Sequence, residues 1–257
     1  MKILQTFKNG RSNSAVHLAI VDNITGVYKT NIKNVEEIVQ KWESLPFDKP
    51  KIYFHTANSL FMEYIPGTSI KQYLANATIN DVDHLVSFIS SYIDFCKKSS
   101  KATFNFNDLI IDRVESTYKS LLPVGTTFNF NTLLPKSITH GDFTLDNILY
   151  YNNKFYLIDI SHSIWDSIYF DINKLRQDLS GLWFIRDEKI KQNWKIHCDY
   201  IYNQLDTKYP GLFDNEIYKL MITRNLPYSK IEKETEFLLR EIERLNANNN
   251  TLCGPQQ

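Results

Sequence analysis

The chain has 257 residues, enough to bury a sizeable core in one large domain or in two lobes that share a cleft. Its 29 lysines and arginines balance 29 aspartates and glutamates, so no net charge draws the whole molecule toward nucleic acid or an anionic membrane. With 43% apolar and 14% aromatic residues it is too hydrophobic for a disordered chain, and no apolar run approaches the roughly 20 residues that span a bilayer.

The amino terminus, MKILQTFKNGRSNS, carries a lysine but only a very short apolar stretch, unlike a secretory signal, so the protein is expected in the cytoplasm. AVHLAIV (15–21) and GVYKTNI (26–32) are β-prone runs on either side of DNIT, which predicts a hairpin. NVEEIVQKWESL (34–45) sets Val35, Ile38, Val39 and Trp42 at helical spacing behind Asn34, a predicted N-cap. Past the proline-bounded break PFDKP, KIYFHT and LFMEYI form a second predicted hairpin around ANS, and PGTS then interrupts the chain. Pro66 and Gly67 therefore mark the expected lobe boundary. From about 79 to 122 the pattern is helical, with Leu85, Phe88, Ile89, Tyr92 and Phe95 at three- and four-residue steps. A polar loop (123–137) follows, and ILYY, the turn NNK and FYLIDI read as a third hairpin. Residues 171–245 return to helical periodicity. Cys96, Cys198 and Cys253 are odd in number and widely spaced, which suggests neither a disulfide framework nor a zinc site.

THGDFTLDNIL (139–149) concentrates a histidine, two aspartates and an asparagine just before that third hairpin. Asp142 and Asn147 stand five residues apart on a loop, and Asp159 closes the hairpin, a spacing that can bring all three toward one point. A carboxylate beside a substrate hydroxyl can accept its proton, while an amide oxygen and a second carboxylate are hard ligands suited to Mg²⁺. Those are parts that phosphoryl transfer needs, since that chemistry rests on positioning and on neutralising charge.

HGDFTLDN followed by LID resembles the central loop and metal-binding segment of the aminoglycoside phosphotransferase and choline kinase family, which has a protein-kinase-like fold. The resemblance implies Asp142 as the base, Asn147 and Asp159 as Mg²⁺ ligands, and His140 as a residue that organises the loop. Glycine at 141, where protein kinases have arginine, favours the small-molecule branch. LFMEYIPGTSIKQYL is similar to the family's linker between lobes, which implies that the backbone of Glu63, Tyr64 and Ile65 meets the adenine. Lys29 matches the phosphate-binding lysine of the third strand. Glu36 is the candidate to pair with it from the following helix, with Glu37 and Glu43 as alternatives. SIYFDINKL resembles the segment whose aspartate braces the central loop, and Asp171 matches that residue. The phosphate-covering loop KNGRSNSAVHL departs from a glycine-rich run, leaving Ser12, Asn13 and Ser14 to present N–H groups and hydroxyls. Ser161 stands where some relatives carry a second acid, which bears on the number of metal ions.

Other residues have plainer readings. Asp146 reads as a solvated loop residue, His162 as structural, and Asp166 as either a turn residue or a partner for a cationic substrate group. Trp165, Trp183, Phe184 and Trp194 are either core or the lining of a substrate pocket. The expectation is an α+β, bilobal protein-kinase-like chain with a small antiparallel β lobe (1–65) and a larger, mainly helical lobe (66–257). It would transfer the γ-phosphate of ATP, or of GTP, with Mg²⁺ to a hydroxyl of a small molecule. Sugars, surface-polysaccharide precursors, choline-like amino alcohols and aminoglycosides are all compatible acceptors. The rival reading is a catalytically silent nucleotide-binding scaffold.

Overall fold

The structure, a computed structural model, describes residues 1–7, 14–128, 133–163, 165–186, 192–229 and 231–252. Strands β1 (Lys2–Thr6), β2 (Ala15–Val21) and β3 (Ile24–Thr30) are followed by helix α1 (Val35–Ser44), then by β4 (Ile52–Thr56) and β5 (Ser59–Glu63). The five strands make one antiparallel sheet in the order β1-β2-β3-β5-β4. Both predicted hairpins are present; β1 lies outside them and adds the edge strand. The β2–β3 turn places Asp22 and Asn23 at φ 48° and 66°, the left-handed pair that a two-residue hairpin turn with the right twist requires. Gly26 is demanded by packing, because a Cβ there would meet the Met62 carbonyl oxygen at 2.5 Å and the Phe61 ring at 2.7 Å.

Helix α1 buries Val35, Ile38, Val39 and Trp42, the stripe that the spacing predicts. Asn34 does not cap it as expected. It sits at φ 56° and ψ 43° with no side-chain hydrogen bond to the helix, and serves instead as a left-handed turn into it.

The remainder is mainly helical. A short strand β6 (Thr68–Ser69) leads into α2 (Ile70–Asn76) and the long α3 (Ile79–Lys98). Thr78 and Asp81 close a capping box at the start of α3, and Leu85, Ile89 and Tyr92 are buried along one face. The predicted helix to residue 122 breaks here. Strand β7 (Thr103–Asn105) precedes α4 (Asn107–Arg113), and β8 (Leu133–Pro135), inside the predicted loop, pairs with β7. Such a ribbon is decided by a partner some thirty residues away, which local periodicity does not report. Strands β9 (Ile148–Tyr151) and β10 (Lys154–Leu157) form the third predicted hairpin around Asn152 and Asn153, both at positive φ. Helices α5 (Ile168–Leu179), α6 (Gln192–Lys208), α7 (Asn215–Thr223) and α8 (Glu232–Leu252) complete the fold. The main apolar core runs without a break from α1 and β5 through α3 to α5 and α6, so the sheet and the helices share one packed body. Cys96 and Cys198 are buried free thiols; Cys253 lies outside the described residues. Among the described residues no helix is long and apolar enough to cross a membrane.

Candidate active site

The loop 139–147 is held from below by a buried carboxylate. Asp171, on α5, accepts hydrogen bonds through one oxygen from the backbone N–H of His140 (2.8 Å), the N–H of Gly141 (3.2 Å) and the Tyr92 hydroxyl (2.5 Å). Tyr92 in turn accepts from the His140 N–H at 2.6 Å, and its ring stacks on Phe143 with centroids 4.0 Å apart. These bonds satisfy N–H groups that the turn would otherwise bury without partners. Gly141 has φ +83°, and a Cβ there would meet the Ser161 carbonyl oxygen at 2.6 Å, so only glycine lets the loop lie against the segment after β10.

His140 is fully buried and its tautomer follows from its partners. Nε2 lies 2.9 Å from the Ile158 carbonyl oxygen, which can only accept, and Nδ1 accepts from the Asp142 N–H at 3.2 Å. Burial lowers its pKa, consistent with a neutral ring that pins residues 142 and 158 in place.

Asp142 and Asn147 are in contact. The Asn147 amide N–H₂ donates to the Asp142 carbonyl oxygen at 2.8 Å and to its carboxylate at 3.0 Å. The other carboxylate oxygen accepts from Lys174 Nζ at 2.7 Å, and the same ammonium donates to the Gly141 carbonyl at 2.5 Å. Partial burial alone would raise the Asp142 pKa, but the adjacent Lys174 ammonium, by charge and hydrogen bond, holds it down to about 2. The carboxylate is therefore ionised at neutral pH, and its side chain still presents 44% of its surface outward.

Lys29 projects from β3 and forms an ion pair with Asp159, which sits at φ 57°, a backbone region that costs energy for a residue with a side chain. Glu36 does not meet Lys29. It is 71% exposed and faces His55 Nδ1 at 3.5 Å, because its position on α1 points it toward β4. Glu37 instead reaches His162 Nδ1 at 2.6 Å, and Lys41 reaches Asp166 at 2.7 Å, so α1 is tied to the segment after β10. Asp166 also accepts from the Thr139 hydroxyl at 3.2 Å, which makes it a clamp between helix and loop. Of the predicted phosphate-loop residues, Ser14 is buried at the start of β2, while Ser12 and Asn13 lie outside the described residues.

Two cavities meet at the Asp142–Asn147 contact. The first, of roughly 360 Å³, lies between sheet and helices; Val16, Val27, Met62 and Ile160 give it apolar walls, and Glu63, Tyr64 and Ile65 form one rim. Lys29, Asn147 and Asp159 stand at its polar end. The second, of roughly 440 Å³, has Asp142 and Lys174 on one side and Arg113, Trp165 and Arg224 on the other. Trp165 therefore both packs and lines a pocket, whereas Trp183, Phe184 and Trp194 are core. Lys174, Arg113 and Arg224 were not among the predicted site residues. Lys174 follows Asp171 by three residues in SIYFDINKL, so a buried-face lysine one turn beyond a predicted brace was the available signal.

Asn147 and Asp159 offer an amide oxygen and a carboxylate at the polar end of the first cavity, a donor set that fits a hard divalent ion such as Mg²⁺. Among the described residues there is no group of three His, Cys, Asp or Glu side chains of the kind that holds softer metals.

The sequence matches no protein-family model and no curated protein. Solved structures do resemble it. A thermostable mutant of aminoglycoside phosphotransferase APH(4)-Ia superposes with TM-score 0.62 at 11% identity, covering 98% of this chain and 95% of that one. The GDP and kanamycin complex of APH(2")-IIia gives 0.57 at 12% identity over 98% and 95%. A putative fructosamine-3-kinase from Thermobifida fusca YX-ER1 gives 0.54 at 11% identity over 94% of each chain. With its β lobe, its helical lobe and the loop between them, the chain has the two-lobed, protein-kinase-like fold of the aminoglycoside phosphotransferases.

Proposed function

We propose that the chain is a phosphotransferase that moves the γ-phosphate of a nucleoside triphosphate, ATP or GTP, to a hydroxyl of a small molecule. The observation that carries this reading is the position of Asp142 and Asn147, joined to each other at the mouth where an apolar cavity and a polar one meet. The apolar cavity suits a purine, with the backbone of residues 63–65 at its rim for the base edge. Lys29 at its polar end would exchange Asp159 for the α/β-phosphates, and Asn147 and Asp159 would hold Mg²⁺, which when bound neutralises phosphate charge.

In the polar cavity Asp142 orients the acceptor hydroxyl and takes its proton. A bond forms from the acceptor oxygen to the γ-phosphorus as the bond from phosphorus to the β–γ bridging oxygen breaks, and that electron pair leaves with the nucleoside diphosphate. Asp142, held ionised and aimed by Lys174 and Asn147, is ready for that proton. The silent-scaffold reading finds no support in the site, since base, amide and second carboxylate all converge there. The structural neighbours, an aminoglycoside phosphotransferase and a putative fructosamine-3-kinase, favour a small acceptor over a protein.

A coupled ADP-release assay with ATP and Mg²⁺ and a panel of sugars, amino alcohols and aminoglycosides tests the proposal, with Asp142→Asn alongside. Acceptor-dependent release that is lost in the variant supports it. Nucleotide binding without turnover on any acceptor, in this and wider panels, would favour the scaffold.

A further inference from the structure

The cavity on the acceptor side is basic. Its charged lining consists of Asp142 against Lys174, Arg113 and Arg224, with His162 alongside. Asp142 and Lys174 cancel each other, and His162 is matched by Glu37. Asp166, which also accepts from Thr139 on the loop, is occupied by Lys41. Arg113 and Arg224 meet no carboxylate among the described residues. Arg224 is nevertheless held in place: its guanidinium lies 5.8 Å from the Trp165 ring centroid, and Nη1 donates to the Met221 sulfur at 3.4 Å. A fixed guanidinium in no ion-pair contact, facing a cavity whose cations outnumber its one carboxylate, is arranged for a planar or tetrahedral oxyanion.

Resting on the phosphotransferase reading, we infer that the acceptor carries an anionic group, a carboxylate or a phosphate, bound by Arg224 with Arg113, while its hydroxyl points at Asp142. A polycationic acceptor meets the wrong field in this cavity, and a neutral one leaves both guanidinium groups unmatched. Two-point attachment also orients the hydroxyl, as in-line transfer of the γ-phosphate requires. In that transfer the acceptor oxygen–phosphorus bond forms, the bond to the leaving nucleoside diphosphate breaks, and the hydroxyl proton passes to Asp142.

The test uses acceptors matched in skeleton and differing in charge. Glucose, glucosamine, glucuronate and glucose 6-phosphate form one series; glycerol, ethanolamine, glycerate and glycerol 3-phosphate form the other. Each is assayed for ADP release with ATP and Mg²⁺, and for its effect on thermal stability. The expected result is a kcat/KM at least about tenfold higher for an anionic member than for its neutral parent, with the advantage shrinking as salt is raised. Whether carboxylate or phosphate prevails names the source of the charge. Arg224→Gln should raise the KM for the anionic acceptor by about tenfold or more while leaving the KM for ATP within about twofold. Arg113→Gln, an exposed substitution that removes no packing, should act in the same direction if Arg224→Gln proves unstable. Turnover confined to neutral or cationic members overturns the inference and leaves the kinase reading standing. Lack of response to every anionic member also overturns it, and lack of nucleotide binding as well brings down the kinase reading itself.

Discussion

The two cavities differ in how they are made. The walls of the first come from Ile38 and Trp42 of α1 and mostly from β2, β3, β5 and the β9–β10 segment, strands whose residues alternate between faces and whose turns are set by local chemistry at Asp22–Asn23 and Asn152–Asn153. The second is assembled from Arg113, Asp142, Trp165, Lys174 and Arg224, which come together only when α4, α5 and α7 pack around the loop. A purine-sized apolar slot can thus be written in short stretches of sequence, whereas a charge pattern for a particular acceptor is a property of helix packing. Variants that touch one cavity should spare the other.

The largest expected effect is at the junction. Asp142→Asn keeps the size of the side chain and removes the proposed base, so turnover should fall by about 10²–10⁴-fold while nucleotide-induced thermal stabilisation persists. Turnover near that of the wild type would remove Asp142 from the mechanism. Next, Lys29→Met should cost roughly 10–100-fold in kcat/KM for ATP, with the acceptor KM little changed. A loss expressed mainly in the acceptor KM would break the division of labour between the cavities.

Lys174→Met probes the electrostatics of the second cavity. In the wild type the contribution of the Asp142 carboxylate to stability is present above the ordinary value of 3.8 and is lost only as pH falls through about 2. Without the ammonium, burial remains and raises the pKa, so the acid limb of the kcat/KM profile should move to higher pH. A limb that stays in place would mean that Lys174 does not control this ionisation. The smallest effect belongs to Glu36→Gln, which should change the rate by less than about twofold, since Glu36 is exposed and faces His55. A tenfold loss would show that Glu36 turns to Lys29 when nucleotide binds.

Parts of this were visible beforehand for reasons particular to each element. The α1 stripe, the hairpins and the loop of His140, Asp142 and Asn147 rest on interactions within a few residues, and Asp171 followed from a recognisable segment. The β7–β8 ribbon was missed because each strand is three residues long and is stabilised by a partner far along the chain. Asn34 has the side chain of a cap but the backbone of a left-handed turn, a choice made by how α1 docks. Glu36 and Glu37 are adjacent on α1, and the way that helix docks sends Glu36 to His55 and Glu37 to His162, neither to Lys29.

The sequence by itself therefore determined the strand and helix periods, the turns and the cluster of groups at 139–147, because propensity, alternation and turn chemistry are short-range forces. Only the tertiary structure decided which charges face each other: Lys29 with Asp159, Lys174 with Asp142, and two arginines left facing a cavity. Electrostatic energies depend on distances of a few ångströms between residues far apart in the chain, and those distances are set when the helices pack.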